Sequence, residues 1–106
     1  MKTATVEVRT HDDEVSIRLT GDVDLANAAS VQTEINEAIG NHVNSVVLDL
    51  SEVTYLDSAG LRILFTLAGR LRTLQTTLEL LVPATSPVRR ILELSGLPPF
   101  ARLRGI

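Results

Sequence analysis

Hydrophobic and polar residues alternate along the first fifth of the chain. Val6 and Val8 alternate with charged residues, and the residues from Val15 to Leu19 follow the same rule after His11-Asp12-Asp13. A period of two is typical of a β-hairpin that buries one face. The pattern therefore predicts two antiparallel strands joined at His11-Asp12-Asp13.

Helical and strand patterns then follow one another. Apolar residues recur at helical spacing from about Ala26 to Ile39, before Gly40-Asn41, and again from Leu61 to Leu74. The near-continuous aliphatic run 45–50 predicts a strand buried on both faces at the centre of a sheet. The remaining predicted elements are a strand over Thr77 to Val82 ended by Pro83, a third helix opened by Ser86-Pro87 and ended by Gly96 and Pro98-Pro99, and a short last strand near Phe100 to Leu103.

The order of predicted elements is β-β-α-β-α-β-α-β. Strands that alternate with helices indicate an α/β fold, here a mixed central sheet of about five strands with helices packed on it. A chain of 106 residues is long enough for one core and too short for two. We therefore expect a single domain over residues 1–106.

Composition narrows the function. The chain has no cysteine, which excludes disulfides, thiolate metal sites and thiol catalysis and favours a reducing compartment. No apolar run approaches the roughly 20 residues of a membrane span, and no Lys/Arg cluster is interleaved with aromatic residues for nucleic-acid binding. We expect a cytoplasmic protein without a cofactor, without nucleic acid and without direct membrane insertion.

The loop between the central strand and the second helix contains Asp57-Ser58-Ala59-Gly60. Functional sites of open α/β sheets gather at the carboxyl ends of strands, where this loop lies. A serine at a helix start is most often an N-cap, so that role for Ser58 is the simplest interpretation. Gly60 is unusual there, because glycine in a helix costs up to about 1 kcal/mol relative to alanine. We therefore expect another group to approach the backbone at Gly60.

A second interpretation makes Ser58 a switch. A phosphoryl group there would add roughly −1.5 to −2 charge beside a helix N-terminus, whose dipole and free N–H groups favour anions. The fold should tolerate the group. Asp57 would repel it, and a partner packed over Ser58, Ala59 and Gly60 would have to desolvate it. Phosphorylation is thus expected to weaken partner binding while folding survives.

The second helix is more apolar than a core contact requires. Its apolar residues span an arc of roughly 200°, against the roughly 100° that suffices to face a core. Ile63 and Leu67 lie at one edge and are predicted to form a partner-binding patch that runs from Ser58. The alternative is that a neighbouring helix covers this edge. Arg62 is close enough in sequence to interact with a phosphate on Ser58, or is simply an exposed arginine.

An enzyme with Ser58 as nucleophile would need a base. The only histidines are His11 and His42, and the sequence places neither near Ser58. No glycine-rich phosphate loop and no metal-ligand spacing occurs either. We therefore expect no catalytic activity, no catalytic residue and no metal site.

Four segments together resemble the STAS domains, named for sulfate transporters and anti-sigma factor antagonists. The segments are Arg18-Leu19-Thr20-Gly21-Asp22-Val23-Asp24, Val46-Val47-Leu48-Asp49-Leu50-Ser51, Leu56-Asp57-Ser58-Ala59-Gly60-Leu61, and Val88-Arg89-Arg90-Ile91-Leu92-Glu93-Leu94-Ser95-Gly96-Leu97. The resemblance implies an anti-sigma factor antagonist. In such proteins the unphosphorylated form binds an anti-sigma factor that is also a serine kinase and releases its sigma factor. The kinase phosphorylates the serine that matches Ser58, and a serine phosphatase regenerates the binding form.

Two alternatives stay open within this resemblance. Asp22 and Asp24 match acidic positions of the family's loop beside the phosphorylation site, where they could orient Ser58 or contact the kinase, or could only make turn hydrogen bonds after Gly21. STAS domains also serve as subunits or regulators of membrane transporters and of large signalling assemblies. In that case the same surface of the domain would bind a different partner.

Overall fold

The computed structural model describes residues 4–40, 42–97 and 101–105. Its elements are β1 (Thr5–His11), β2 (Glu14–Val23), α1 (Ala28–Ala38), β3 (Ser45–Leu56), α2 (Ser58–Thr73), β4 (Thr77–Leu81), α3 (Arg89–Leu94) and β5 (Arg102–Arg104). The five strands lie in the order β1-β2-β3-β4-β5; β1 is antiparallel to β2, and the other neighbours are parallel. The predicted order of elements and the mixed sheet are confirmed.

Element boundaries differ from the predictions by a few residues. Helix α2 begins at Ser58 rather than Leu61, and α3 begins at Arg89, two residues after Pro87. Strand β5 runs from Arg102 to Arg104. The predicted roles of Asn41, Pro98, Pro99 and Phe100 lie outside the described residues.

The amino-terminal hairpin closes with a two-residue turn. His11 pairs with Glu14, and Asp12 adopts a left-handed conformation with φ of 55°. Asp is one of the residues that tolerate this region. The predicted hairpin and its turn are confirmed.

The core lies on one side of the sheet. Val46, Leu48 and Leu50 are at most 1% exposed. They belong to a single aliphatic cluster that also contains buried apolar residues of all three helices. The alternate residues Val47 and Asp49 are only half-buried. The prediction that β3 is buried on both faces is therefore wrong, because the helices cover one face and leave the other open.

Charged side chains occupy the open face. Arg18 Nε lies 3.3 Å from Asp49 Oδ2, and Arg104 Nη1 lies 3.0 Å from Glu79 Oε1. Burial raises the pKa of the Asp49 carboxyl, but hydrogen bonds from Ser51 and Arg18 outweigh that effect, so the pKa lies below its ordinary value. The face is a polar surface in which cross-strand charges compensate one another.

None of the helices in the described ranges combines the length and the apolar character that a membrane span requires.

Candidate functional site

The candidate site lies where the carboxyl ends of two parallel strands meet. Val23 at the end of β2 is in register with Leu56 at the end of β3, and Asp57 N donates to Val23 O at 3.3 Å. The loop after β2 leads into α1, and Asp57 alone separates β3 from α2. The starts of α1 and α2 are therefore brought together at one edge of the sheet.

Asp57 is the N-cap of α2 and ties the two chain segments together. Its Oδ1 accepts hydrogen bonds from Ala59 N at 2.9 Å and Gly60 N at 3.0 Å. Its Oδ2 accepts a third from Leu25 N at 3.1 Å, in the loop before α1. The N-cap role considered for Ser58 is thus wrong, because the preceding carboxylate already satisfies the helix amides.

Gly60 allows α2 to pack directly on the end of β2. A Cβ atom there would lie 2.6 Å from Leu56 Cδ1 and 2.9 Å from the carbonyl oxygen of Val23. Real Cβ atoms essentially never come this close, and the Val23 oxygen belongs to the sheet backbone. The group that approaches Gly60 is therefore the protein's own β2 strand.

Ser58 is the first residue of α2, and its side chain is exposed. Its hydroxyl makes no hydrogen bond with any other part of residues 4–40, 42–97 and 101–105. Asp57 already binds the next two helix amides, so they are not free for an anion on Ser58 as the sequence suggested. The Ser58 hydroxyl is therefore exposed and is not part of the cap of α2.

Asp22, near the end of β2, and Asp24, in the loop that follows, make no hydrogen bond with Ser58. Asp22 Oδ1 accepts from Thr54 Oγ1 at 2.5 Å, and Asp24 Oδ1 accepts from Ala26 N at 3.0 Å. The Asn27 side chain donates to Asp22 O and accepts from Asp24 N. The turn hydrogen bond considered for these acidic residues is present at Asp24, whereas the Asp22 carboxylate bonds across the sheet to Thr54 in β3.

A shallow groove of about 360 Å³ runs between the starts of α1 and α2. Its lining residues are Leu25, Ala28, Ala29, Gln32, Ser58, Ala59, Arg62 and Ile63. Leu25 is 82% exposed, the highest value for a large hydrophobic residue in the described part of the chain. Sequence reasoning missed Leu25, although an apolar residue directly after Asp24 and before the stripe of α1 was a usable signal.

The predicted patch of Ile63 and Leu67 is wrong. Ile63 is 4% exposed and Leu67 is 2% exposed, since both belong to the core. Helix α1 contacts α2, and Arg70 donates from α2 to Asn36 Oδ1 at 3.0 Å and to Ile39 O at 3.2 Å. The neighbouring helix thus covers the edge that looked free, and Ile63 only borders the groove.

Arg62 is exposed and lines the groove one helical turn after Ser58. Within the described residues its guanidinium forms no hydrogen bond or ion pair. It is therefore available to a group that arrives at the groove.

The two histidines lie at the opposite end of the sheet. His11 ends β1 beside the hairpin turn, and His42 lies in the loop that leads into β3. Strand β2 has ten residues, so about 30 Å separates the hairpin turn from the Ser58 end. No group of three or more His, Cys, Asp or Glu side chains suited to a metal occurs in the described ranges.

A family model described as STAS domain matches residues 5–104 of the chain. The anti-sigma-F factor antagonist RsfB of Mycobacterium tuberculosis is 32% identical over 99 residues, which cover 93% of this chain and 80% of that protein. The crystal structure of an anti-sigma factor antagonist from Mycobacterium paratuberculosis superposes with a TM-score of 0.83 and 26% identity, over 95% of this chain and 85% of that one.

The fold is also that of the anti-sigma factor antagonist SpoIIAA. Its unphosphorylated form has a TM-score of 0.78 at 22% identity, over 96% of this chain and 88% of that one. The phosphorylated form of SpoIIAA from Bacillus has a TM-score of 0.70 at 18% identity, over 96% of this chain and 91% of that one.

Proposed function

The chain belongs to the STAS domain family, and from that premise we propose that it is an anti-sigma factor antagonist whose partner binding is switched off by phosphorylation of Ser58. In this function the unphosphorylated chain binds an anti-sigma factor with serine kinase activity, which then releases its sigma factor. A serine phosphatase restores the binding form. The relatives named as anti-sigma factor antagonists support the partner class.

One observation carries the proposal: Ser58 is exposed at the start of α2, while Asp57 performs the capping that the helix needs. The Ser58 hydroxyl is therefore free to accept a phosphoryl group without breaking a hydrogen bond of the fold. The phosphorylated structure of SpoIIAA shows that a protein of this fold exists in both states.

The binding surface is proposed to be the groove and its rim. The exposed Leu25 side chain offers an apolar anchor, the small Ala29 and Ala59 let a partner approach, and Arg62 adds a positive charge. A partner that covers this groove must bury Ser58 with it. A phosphate on Ser58 would then lose its hydration at the interface, which is costly for a charged group.

Asp22 and Asp24 are proposed to act through the loop that they order. They support the backbone from which Leu25 is exposed, and Asp57 fixes Leu25 N from the other side. Ser58 acts as a phosphate acceptor and not as a catalyst. The proposal therefore requires no cofactor, no metal and no chemistry from this chain beyond the reactivity of one hydroxyl.

The test uses immobilised wild-type chain, Ser58→Ala, Ser58→Asp and a control, Thr66→Asp, with lysate of the native organism. Thr66 is exposed on α2 eight residues after Ser58, about 12 Å along the helix. Mass spectrometry identifies the captured anti-sigma factor, whose purified form is then titrated by calorimetry. We expect wild type, Ser58→Ala and Thr66→Asp to bind alike and Ser58→Asp to bind about tenfold more weakly or worse.

Equal binding by Ser58→Asp and wild type would contradict the charge switch. Incubation of the wild-type chain with the purified partner and ATP should place one phosphate on Ser58, and Ser58→Ala should accept none. Capture of a transporter subunit instead of an anti-sigma factor would favour the other function known for STAS domains.

A further inference from the structure

In the part of the chain that the structure describes, strand β1 is an edge of the sheet with no strand on its outer side. It has seven residues, pairs with β2 on one side only, and shows no register shift and no proline. Such an edge presents unpaired N–H and C=O groups and is a template for another strand.

The hairpin determines which backbone groups point outward. In a two-residue hairpin the residues that flank the turn, here His11 and Glu14, form a hydrogen-bonded pair, and such pairs recur at every second residue. The intervening residues Val6, Val8 and Thr10 therefore direct their N–H and C=O groups away from β2.

Two oppositely charged side chains flank Val8 in β1. Glu7 precedes it and Arg9 follows it, both on the open face of the sheet, and Val8 itself is 44% exposed. Arg18 lies opposite Glu7 but forms its ion pair with Asp49. Within the described residues neither Glu7 nor Arg9 forms an ion pair.

We propose that β1 pairs with β1 of a second copy of this chain, antiparallel, with Val8 opposite Val8 of the second copy. The outward backbone groups of Val8 then bond to each other across the twofold axis. Glu7 lies opposite Arg9 of the second copy, and the symmetry repeats this pair. Glu7 and Arg9 of the second copy form a non-hydrogen-bonded pair, in which opposed side chains approach most closely.

Charge selects this register over its neighbours. A shift of two residues in one direction places Glu7 opposite Glu7, and a shift in the other places Arg9 opposite Arg9. Like charges directly opposite each other destabilise a strand pair. A shift of one residue brings outward backbone groups against inward ones. The occupant that fits the edge is therefore the chain itself, joined into a ten-stranded sheet.

Pairing of β1 is separate from the proposed function of Ser58. The Ser58 groove lies at the carboxyl ends of β2 and β3, and no residue of β1 lines it. The dimer would thus present two separate Ser58 sites.

The test is a charge exchange followed by sedimentation equilibrium at chain concentrations up to about 1 mM. Glu7→Arg and Arg9→Glu each replace two attractive pairs by two repulsive ones, so each variant alone should dimerise about tenfold more weakly or worse. An equimolar mixture of the two should form a heterodimer, since opposite charges again face each other. The double variant Glu7→Arg/Arg9→Glu should recover the wild-type dimer.

Glu37→Arg, at an exposed position of α1 and outside the paired strand, makes the same charge change and should dimerise like wild type. Ser58→Asp should also dimerise normally, so failure of the partner switch and failure of strand pairing can be distinguished. A wild-type chain that stays monomeric overturns the proposal. A dimer that neither single exchange weakens, or a mixture that does not associate, overturns it as well.

Discussion

The residues beneath Ser58 and those around it differ in how completely the fold uses them. Beneath it lies a framework formed by Val23, Leu56, Asp57 and Gly60. Three hydrogen bonds of the Asp57 side chain hold it, and Gly60 packs so closely on Val23 and Leu56 that no Cβ atom would fit. Around it, Leu25 and Arg62 are exposed and lie beside the free Ser58 hydroxyl. Neighbouring residues of one short motif thus have separate tasks, because the helix start needs Asp57 and Gly60 and does not need Ser58.

Gly60→Ala should break the framework and have the largest effect. The new Cβ must displace the Val23 carbonyl or separate α2 from the sheet, which overpacking data place at about 1–3 kcal/mol of lost unfolding free energy. Urea denaturation measures the loss. Gly69→Ala is the matched control, because nothing lies within 4 Å of its Cβ position, so it should stabilise the helix by up to about 1 kcal/mol. Equal effects of the two variants would contradict the role given to Gly60.

Asp57→Ala should have the next largest effect. It removes the acceptors of Ala59 N, Gly60 N and Leu25 N, so we expect a loss of about 1–2 kcal/mol in unfolding free energy. Ser58→Ala should change it by less than about 0.5 kcal/mol, because no hydrogen bond of the described fold is lost. Thermal unfolding of both variants measures the contrast. A larger loss for Ser58→Ala would make the serine part of the framework.

Leu25→Ala should have the smallest effect on stability and should separate the two regions most clearly. Its side chain is 82% exposed, so the unfolding free energy should change by less than about 0.5 kcal/mol. Binding to the captured anti-sigma factor should weaken about tenfold, because the apolar anchor is lost. Leu94→Ala, on α3 and 74% exposed, should change neither quantity. Undiminished binding by Leu25→Ala would remove the groove from the proposed surface.

Much of the fold follows from local pattern. The alternation in β1 and β2 and the helical spacing in α1 and α2 predicted these elements correctly. Each pattern depends only on which side of its own element is apolar. Burial on both faces of β3 could not be judged in this way, since it depends on whether a second layer of helices exists. The aliphatic run 45–50 looks the same with one layer or with two.

The site was predictable in position and less so in detail. The motif located Ser58 at the carboxyl end of a central strand, where the structure has it. Asp57 caps a helix whose first residue is Ser58, whereas Ser58 would cap a helix that begins at Ala59, and helix starts are poorly determined by pattern. Burial of Ile63 and Leu67 depended on the path of α1 across α2, which no short segment encodes.

The cap at Asp57 also determines how this protein would store its regulatory state under the proposed function. Because Asp57 caps α2, the proposed phosphorylation of Ser58 would break no hydrogen bond of the helix start. A phosphate monoester is among the slowest of biological bonds to hydrolyse without a catalyst, whereas conformational states relax within microseconds to seconds. The regulatory state would therefore be stored as a covalent phosphate on Ser58. Its lifetime would be set by the kinase that adds the phosphate and the phosphatase that removes it.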